Sequence, residues 1–532
     1  MAAIVYQTNK QTGITYAYES VSYWDKEKQQ SRAKRRCIGR VDPETKEIIP
    51  TRKSFSTNKG DSTKTGLDST IDAFRSFYGA TYLFDSIGEK LGITVDLKRC
   101  FPDTYNQILS IAYYLILEDT NPLSRFPKWT ATHKHPHGKN IPSLRSSELF
   151  ASITEDSREY FFRLQGKRRV EHEYWAYDTT SISSYSKCLS QIRYGVNKDH
   201  DPLPQINIAL LFGEESNLPF YYRKLAGNIP DVKTVKNLLA DMDFFGYSKI
   251  KLVMDRGFYS EENINDLYKN RLKFLIATKV SLKFVKAELD KVRASIHTWT
   301  NYSQKHDLYA CSSTINWAYS QERPYKGDTL KAERRMYLHI YFNSEKAMED
   351  EKNLNTLLCT LQGELESGRN NMDHEKQYAK YFDIKTTPVR GTKVTAKEVV
   401  ISEAKKNYGY FVLLSNDVKD PIEAIEIYRN KDLVEKAFGN LKERLNFSRP
   451  AVSSDQSLDG KLFVEFIALI YLSYIKKKMQ DKNLFKKYTM QELFDEFDII
   501  ECFEQQGWEL RVGEMTKRQL KLYEVMDIAF PT

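Results

Sequence analysis

Four polar residues in IYRNKDLVEKAFGNLKERL, residues 427–445, recur at a spacing that asks for a chemical reason: Tyr428, Lys431, Glu435 and Lys442. On an α-helix, turning about 100° per residue, they share one narrow stripe. Val434, Phe438, Leu441 and Leu445 form the neighbouring stripe, and Asn440 and Arg444 fall on the far side. One face suits a core, one suits water, and one sets a carboxylate between two lysines and a tyrosine. The plainer reading is a solvated helix whose Lys and Glu are i,i+4 pairs, worth a few tenths of a kcal/mol.

A lone carboxylate does little chemistry, so companions are sought upstream. Asp178 in YWAYDTTSIS and Asp255 in KIKLVMDRGFYS each follow an aromatic or β-branched run that reads as a buried strand, near the point where that strand should end. Two acids on strand ends and one on a helix are what a divalent-metal site needs, because Mg²⁺ takes hard oxygen ligands and keeps several waters. Taken singly, Asp178 before Thr179 and Thr180 could cap a turn, and Asp255 before Arg256 and Gly257 could close a strand-to-helix loop.

With these residues in view, the sequence resembles the DDE transposases of bacterial insertion sequences, in particular the group with a YREK signature. The signature's spacing is complete as Tyr428, Lys431, Glu435 and Lys442, with lysine in place of the arginine. DRGFY, with Asp255, Gly257 and Tyr259, matches the group's second-acid motif, and YDTTSI is similar to its first-acid segment. The resemblance runs from about Tyr174 to Leu472. It implies that Asp178, Asp255 and Glu435 are catalytic and hold two Mg²⁺ ions, which Mn²⁺ can replace, about 3.5 to 4 Å apart. Water would free a 3′-hydroxyl at each transposon end, and that hydroxyl would attack target DNA with no covalent protein intermediate. The implied partners are terminal inverted repeats, target DNA and a second copy of the chain in a synaptic complex.

Lys442 and Tyr428 are expected to reach phosphates. Lysine at 431 gives a point charge where arginine would give a fork of donors, and Arg429 or Arg256 is placed to compensate. In relatives with this signature an inserted β region helps hold a flipped DNA end. Trp299 and Trp317 are candidates for stacking on a displaced base there, or else core of the insertion.

The elements that must position these residues give an α/β fold: an RNase H-like mixed sheet flanked by helices and interrupted by a largely β insertion domain. Residues 1–50 read as a small basic β domain, with Lys34, Arg35 and Arg36 beside Tyr16, Tyr18, Tyr23 and Trp24, aromatics that either meet DNA or fill a small core. A linker spans 51–67, and a helical region for end binding or dimerisation spans 68–169. The core follows as 170–282, an insertion as 283–405, the rest of the core as 406–475 and a helical region as 476–532. Asp420, Pro421 and Glu423 mark a helix start, and Asp432 with Glu435 in a capping-box position marks a possible second one.

Composition narrows the classes. At 532 residues the chain needs several cores, and 41% hydrophobic with 28% charged residues describes a folded protein, not a disordered one. The apolar run FVEFIALIYLSYI contains Glu465 and is too short for a membrane span, so it reads as a buried helix. No leader pattern opens the chain, which is expected to stay in the cytoplasm, on the nucleoid when bound to DNA. Six scattered cysteines form no CxxC pair, which argues against zinc or a disulfide framework. THKHPHG reads as an exposed loop, with metal binding the minor alternative. The charge of +9 is concentrated at the front, where residues 1–60 hold 12 Lys and Arg against 6 Asp and Glu, a distribution suited to a phosphate backbone. Two other functions stay open: an RNase H-like nuclease that cuts without joining, and an inert DNA-binding protein descended from a transposase.

Overall fold

A computed structural model of the chain describes residues 3–9, 13–25, 30–42, 45–49, 73–119, 121–168, 173–186, 189–247, 250–322, 329–387, 391–445, 452, 454–505 and 508–532. The linker expected over 51–67 lies outside them. Two units are formed, Met1–Ile71 and Asp72–Thr532.

The first unit is an antiparallel meander of β1 (Ala3–Thr8), β2 (Thr15–Asp25), β3 (Gln30–Val41) and β4 (Ile48–Ile49). Arg35 lies opposite Ser20 on β2 and is exposed. Tyr16 and Tyr18 are half-buried, while the side chains of Tyr23, Trp24, Lys34 and Arg36 fall outside the described residues.

The second unit opens with β5 (Ala73–Phe77), followed by α1 (Gly79–Leu91), α2 (Ile93–Cys100), α3 (Tyr105–Leu117), α4 (Phe126–Thr130), α5 (Ser143–Ser152) and α6 (Glu155–Lys167). AFRSF falls within the region expected to be helical, but it is a strand because it has a partner strand more than 400 residues away. β5 pairs antiparallel with residues 501–505, and Arg75 forks onto the Glu501 carboxylate. The THKHPHG segment also departs from expectation. His133 and His135 are buried, not exposed: His133 stacks on Trp129 at 4.7 Å and meets Asp498 Oδ2 at 3.1 Å, and His135 Nδ1 lies 2.9 Å from Ser110 Oγ. Burial drops the His135 imidazole pKa to about 4, so that ring fills space as a neutral group.

The sheet begins with β6 (Tyr174–Ser183), β7 (Gln205–Gly213) and β8 (Pro219–Ala226), continues through α7 (Asp231–Phe245) to β9 (Lys251–Met254), and through α8 (Glu261–Lys269) to β10 (Lys273–Thr278). β6, β9 and β10 run parallel, β7 is antiparallel to β6 and β8 is antiparallel to β7, in an order 8-7-6-9-10. That order makes the fold RNase H-like. α9 (Lys283–Val292) leads to β11 (Tyr302–Ser303), β12 (Leu308–Glu322) and β13 (Thr329–Phe342). This hairpin extends the same sheet, since β13 pairs with β16 (Tyr410–Ser415), which pairs with β10.

Between β13 and β16 lie α10 (Ser344–Ser367), α11 (Glu375–Tyr381), the hairpin of β14 (Phe382–Thr387) and β15 (Gly391–Ala396), and α12 (Glu398–Lys405). These close over an apolar cluster of their own, including Leu354, Leu361, Leu365, Tyr378 and Ile401. The chain then forms α13 (Pro421–Asn430), α14 (Asp432–Gly439), α15 (Asp455–Asp481), α16 (Met490–Asp498), β17 (Glu501–Gln505), β18 (Arg511–Val512) and α17 (Lys517–Val525).

The run FVEFIALIYLSYI is the centre of α15 and is buried all round, packed on α3, α5 and β8. Gly460 permits that contact, for a Cβ there would stand 2.0 Å from the Phe150 carbonyl oxygen. A fully buried Leu, Ile or Phe side chain contributes about 1.5–3 kcal/mol, so this helix ties the helical layer to the sheet. No helix among the described residues is long and apolar enough to cross a membrane.

Candidate active site

Pairing between β6 and β9 ends at Tyr177 and Met254. Asp178 and Asp255 are therefore the next residues on neighbouring parallel strands, whose backbones lie about 4.8 Å apart. Asp255 stands at its strand end as expected. Asp178 does not, for β6 runs on to Ser183, held by β7 alone. All ten residues of β6 are buried, which puts a carboxylate and a run of hydroxyls inside the sheet.

Burial pushes the Asp178 carboxyl above its usual range, while Lys198, Lys431 and the Thr179 N–H pull the other way. The two oxygens have different companions. Oδ1 accepts from Thr179 N at 2.8 Å and lies 3.5 Å from Lys198 Nζ; Oδ2 lies 3.8 Å from Lys431 Nζ. Asp255 accepts at Oδ1 from Arg256 N at 2.6 Å and from the Tyr428 hydroxyl at 2.8 Å. Phe258, packed on Tyr177, anchors the turn that follows.

The 427–445 stretch is not one helix. It breaks at Lys431, between α13 and α14, and α14 passes into a π-turn over Asn440–Arg444. Asp420 caps α13 by accepting from Ile422 N and Glu423 N, with Pro421 behind it. At α14 the anticipated capping box is absent: Lys431 occupies the cap position, and no side chain bonds there. The break suits packing, since α13 lies against β9, β10, β12 and β13 while α14 lies against β6 and β7. Two short helices thus follow the sheet where one straight helix would leave it.

The consequence at the site is a lysine at the centre. The Lys431 side chain is 4% exposed, with Nζ 3.3 Å from Glu435 Oε1 and 3.8 Å from Asp178 Oδ2. Burial opposes its charge, but Asp178, Asp255 and Glu435 outweigh burial and hold its pKa above the ordinary lysine value. Glu435 is the most open of the three acids, with its side chain 62% exposed. Val434, Phe438, Leu441 and Leu445 form the buried stripe. Arg444 is drawn inward too, donating to Ile116 O and Gln491 Oε1.

The other expected contacts are spread more widely. Lys442 Nζ bonds Asp199 Oδ2 at 2.5 Å. Arg256 is exposed beside Asp255, and Arg429 lies 3.1 Å from His306 Nδ1. Trp299 is 82% exposed on a short turn, whereas Trp317 donates from Nε1 to Asn265 Oδ1 and packs against Phe284. Two site residues escaped the sequence reading. Lys198 Nζ reaches Asp231 Oδ2 at 3.2 Å and donates to Thr179 O and Oγ1, and Asp231 also accepts from Thr179 Oγ1. Asp231 opens α7, and neither it nor Lys198 carries a chemical signal in the sequence.

Among the described residues no three His, Cys, Asp or Glu side chains converge as a ready-made metal cluster. The donor chemistry nonetheless fits a hard cation: a buried carboxylate carries a positive group on each oxygen, and a second carboxylate is its neighbour across the strands.

The family model for a transposase DDE domain matches residues 175–471, more than half of the chain. No curated protein matches it. Among solved structures, a piggyBac transposase synaptic complex with hairpin DNA is similar at 10% identity and a TM-score of 0.33, over 78% of this chain and 70% of that one.

Proposed function

The chain belongs to the transposase DDE family, and from that premise we propose that it is an insertion-sequence transposase that cuts DNA at the element's ends and joins the freed 3′-hydroxyls to target DNA. The observation that carries this reading is the meeting of Asp178 and Asp255 on adjacent strands beneath Tyr428, Lys431 and Glu435. Asp178, Asp255 and Glu435 would hold Mg²⁺. Bound there, the ions would activate the attacking oxygen and neutralise charge at phosphorus.

The chain's own residues supply the rest. Asp178, with a cation on each oxygen, has the surroundings of a bridging ligand. Tyr428 fixes one oxygen of Asp255 and leaves the other to a ligand. Arg256 and Arg429, exposed at the rim, would meet the phosphate backbone, and Trp299 would offer a face to an unpaired base.

The test is an end-cleavage and strand-transfer assay with Mg²⁺ on duplexes taken from the DNA flanking the gene, with pre-cleaved ends for the second step. Asp178→Asn, Asp255→Asn and Glu435→Gln should each lower both steps by about 10⁴-fold, the scale of losing one member of a catalytic set, with duplex binding kept. Near-normal cleavage by any variant overturns that residue's role, and nicking without joining by the parent chain overturns the transposase reading in favour of a nuclease.

A further inference from the structure

Between β6 and β7 the chain makes a tight turn at Asn197–His200, which folds back over the acids. Asn197 Nδ2 donates to Ser183 Oγ, Lys198 N to Ser181 Oγ and Asp199 N to Asn197 Oδ1, at 3.0, 3.3 and 2.8 Å. His200 takes a left-handed φ of 57°, a conformation that a non-glycine residue adopts at a cost and that the surrounding bonds must hold. Consecutive side chains of this turn place opposite charges in the site. The Lys198 ammonium sits on Asp178 and Asp231, and the Asp199 carboxylate sits on Lys442.

We propose that this turn is an autoinhibitory latch that counterfeits both ligands at once. The inference rests on the function proposed above. Lys198 stands where a cation would meet Asp178, and Asp199 offers Lys442 the oxygen that a phosphodiester would offer. DNA and the divalent ion must therefore displace one peptide turn, and each makes the other's entry easier, because releasing either residue loosens its neighbour. The latch is weak by construction. The Asp199 side chain is 51% exposed, and an ion pair with one open member changes an affinity by about fivefold at most. A turn that binds so lightly yields readily to a polyanion while still screening the site from stray phosphates.

The test uses the full chain and two probes. Fluorescence anisotropy with a mixed-sequence DNA duplex, in chelator, compares wild type, Asp199→Asn, Lys442→Ala and the double variant. Asp199→Asn should tighten binding about threefold to fivefold, and the double variant should bind no better than Lys442→Ala alone. The same gain in the Lys442→Ala background would mean that removing any negative charge suffices, and would overturn the latch. So would no gain at all.

Calorimetric titration of the DNA-free protein with Mn²⁺ gives the second arm. Lys198→Met should bind Mn²⁺ more tightly than wild type, and equal or weaker binding overturns the cation half. A wild-type chain that binds neither duplex nor Mn²⁺ fails the functional reading itself. One that binds both while the substitutions change nothing fails only the latch.

Discussion

Tyr428 turns a strand-end aspartate into a directed one. Its hydroxyl donates to Asp255 Oδ1, and burial, then Asp255 and Asp178, hold its proton on well beyond the usual phenol range, so it remains a donor at any working pH. Tyr428→Phe keeps the ring and removes the donor. Strand cleavage should fall about 10–100-fold with little change in duplex affinity, the pattern of a lost orienting bond, and steady-state kinetics alongside anisotropy would check it. An equal loss of affinity would make Tyr428 a DNA contact instead. The spacing of Tyr428, Lys431 and Glu435 was legible because all three lie within eight residues of one another. Lys198 and Asp231 were not, since only the return of a distant turn brings them to Asp178. The two tryptophans make the same point: Trp299 and Trp317 read alike in sequence, and packing alone leaves one exposed and ties the other to Phe284 and Asn265.

At the scale of elements, α13 and α14 take up the second of the two arrangements the sequence offers, with a new helix starting at Asp432. The stripe of polar residues suits one straight helix, and spacing alone cannot decide for the break, which follows the packing on the sheet. α15 was read correctly as buried, and it carries an anomaly. Glu465 is fully enclosed, neither oxygen has a hydrogen bond, and Lys461 Nζ stands 3.7 Å away. Burial pushes its carboxyl up from 4.5 to about 8, with Lys461 opposing. The folded chain therefore keeps a proton that the unfolded chain has released, and stability falls as pH rises through that window. Glu465→Gln removes the proton from the balance. Its melting temperature should gain on wild type from about pH 5 upward, reaching an advantage of about 1 kcal/mol or more near pH 8. A constant offset across that range would show that the carboxyl is charged in the fold.

Over the whole molecule, the five strands of the RNase H-like core were visible as apolar runs in QINIALLF, LPFYYRKL, KIKLVMD, LKFLIATK and the first-acid segment. The β5–β17 pairing was not visible, because β5 has no strand near it in sequence and meets β17 only across more than 400 intervening residues. It is reinforced where Tyr78 N and Gly79 N both bond Ile500 O, and where Tyr523 donates to Gly79 O at 2.8 Å. Removing residues 501–532 should lower the melting temperature by more than about 10 °C, since β5 and α1 lose their cover. An unchanged melt would make the closure dispensable. A ribosome delivers β5 more than 400 residues before β17, so the helical layer has to wait, unfinished, until residues 501–505 have emerged. Products truncated before β17 would carry an open flank for proteases to find.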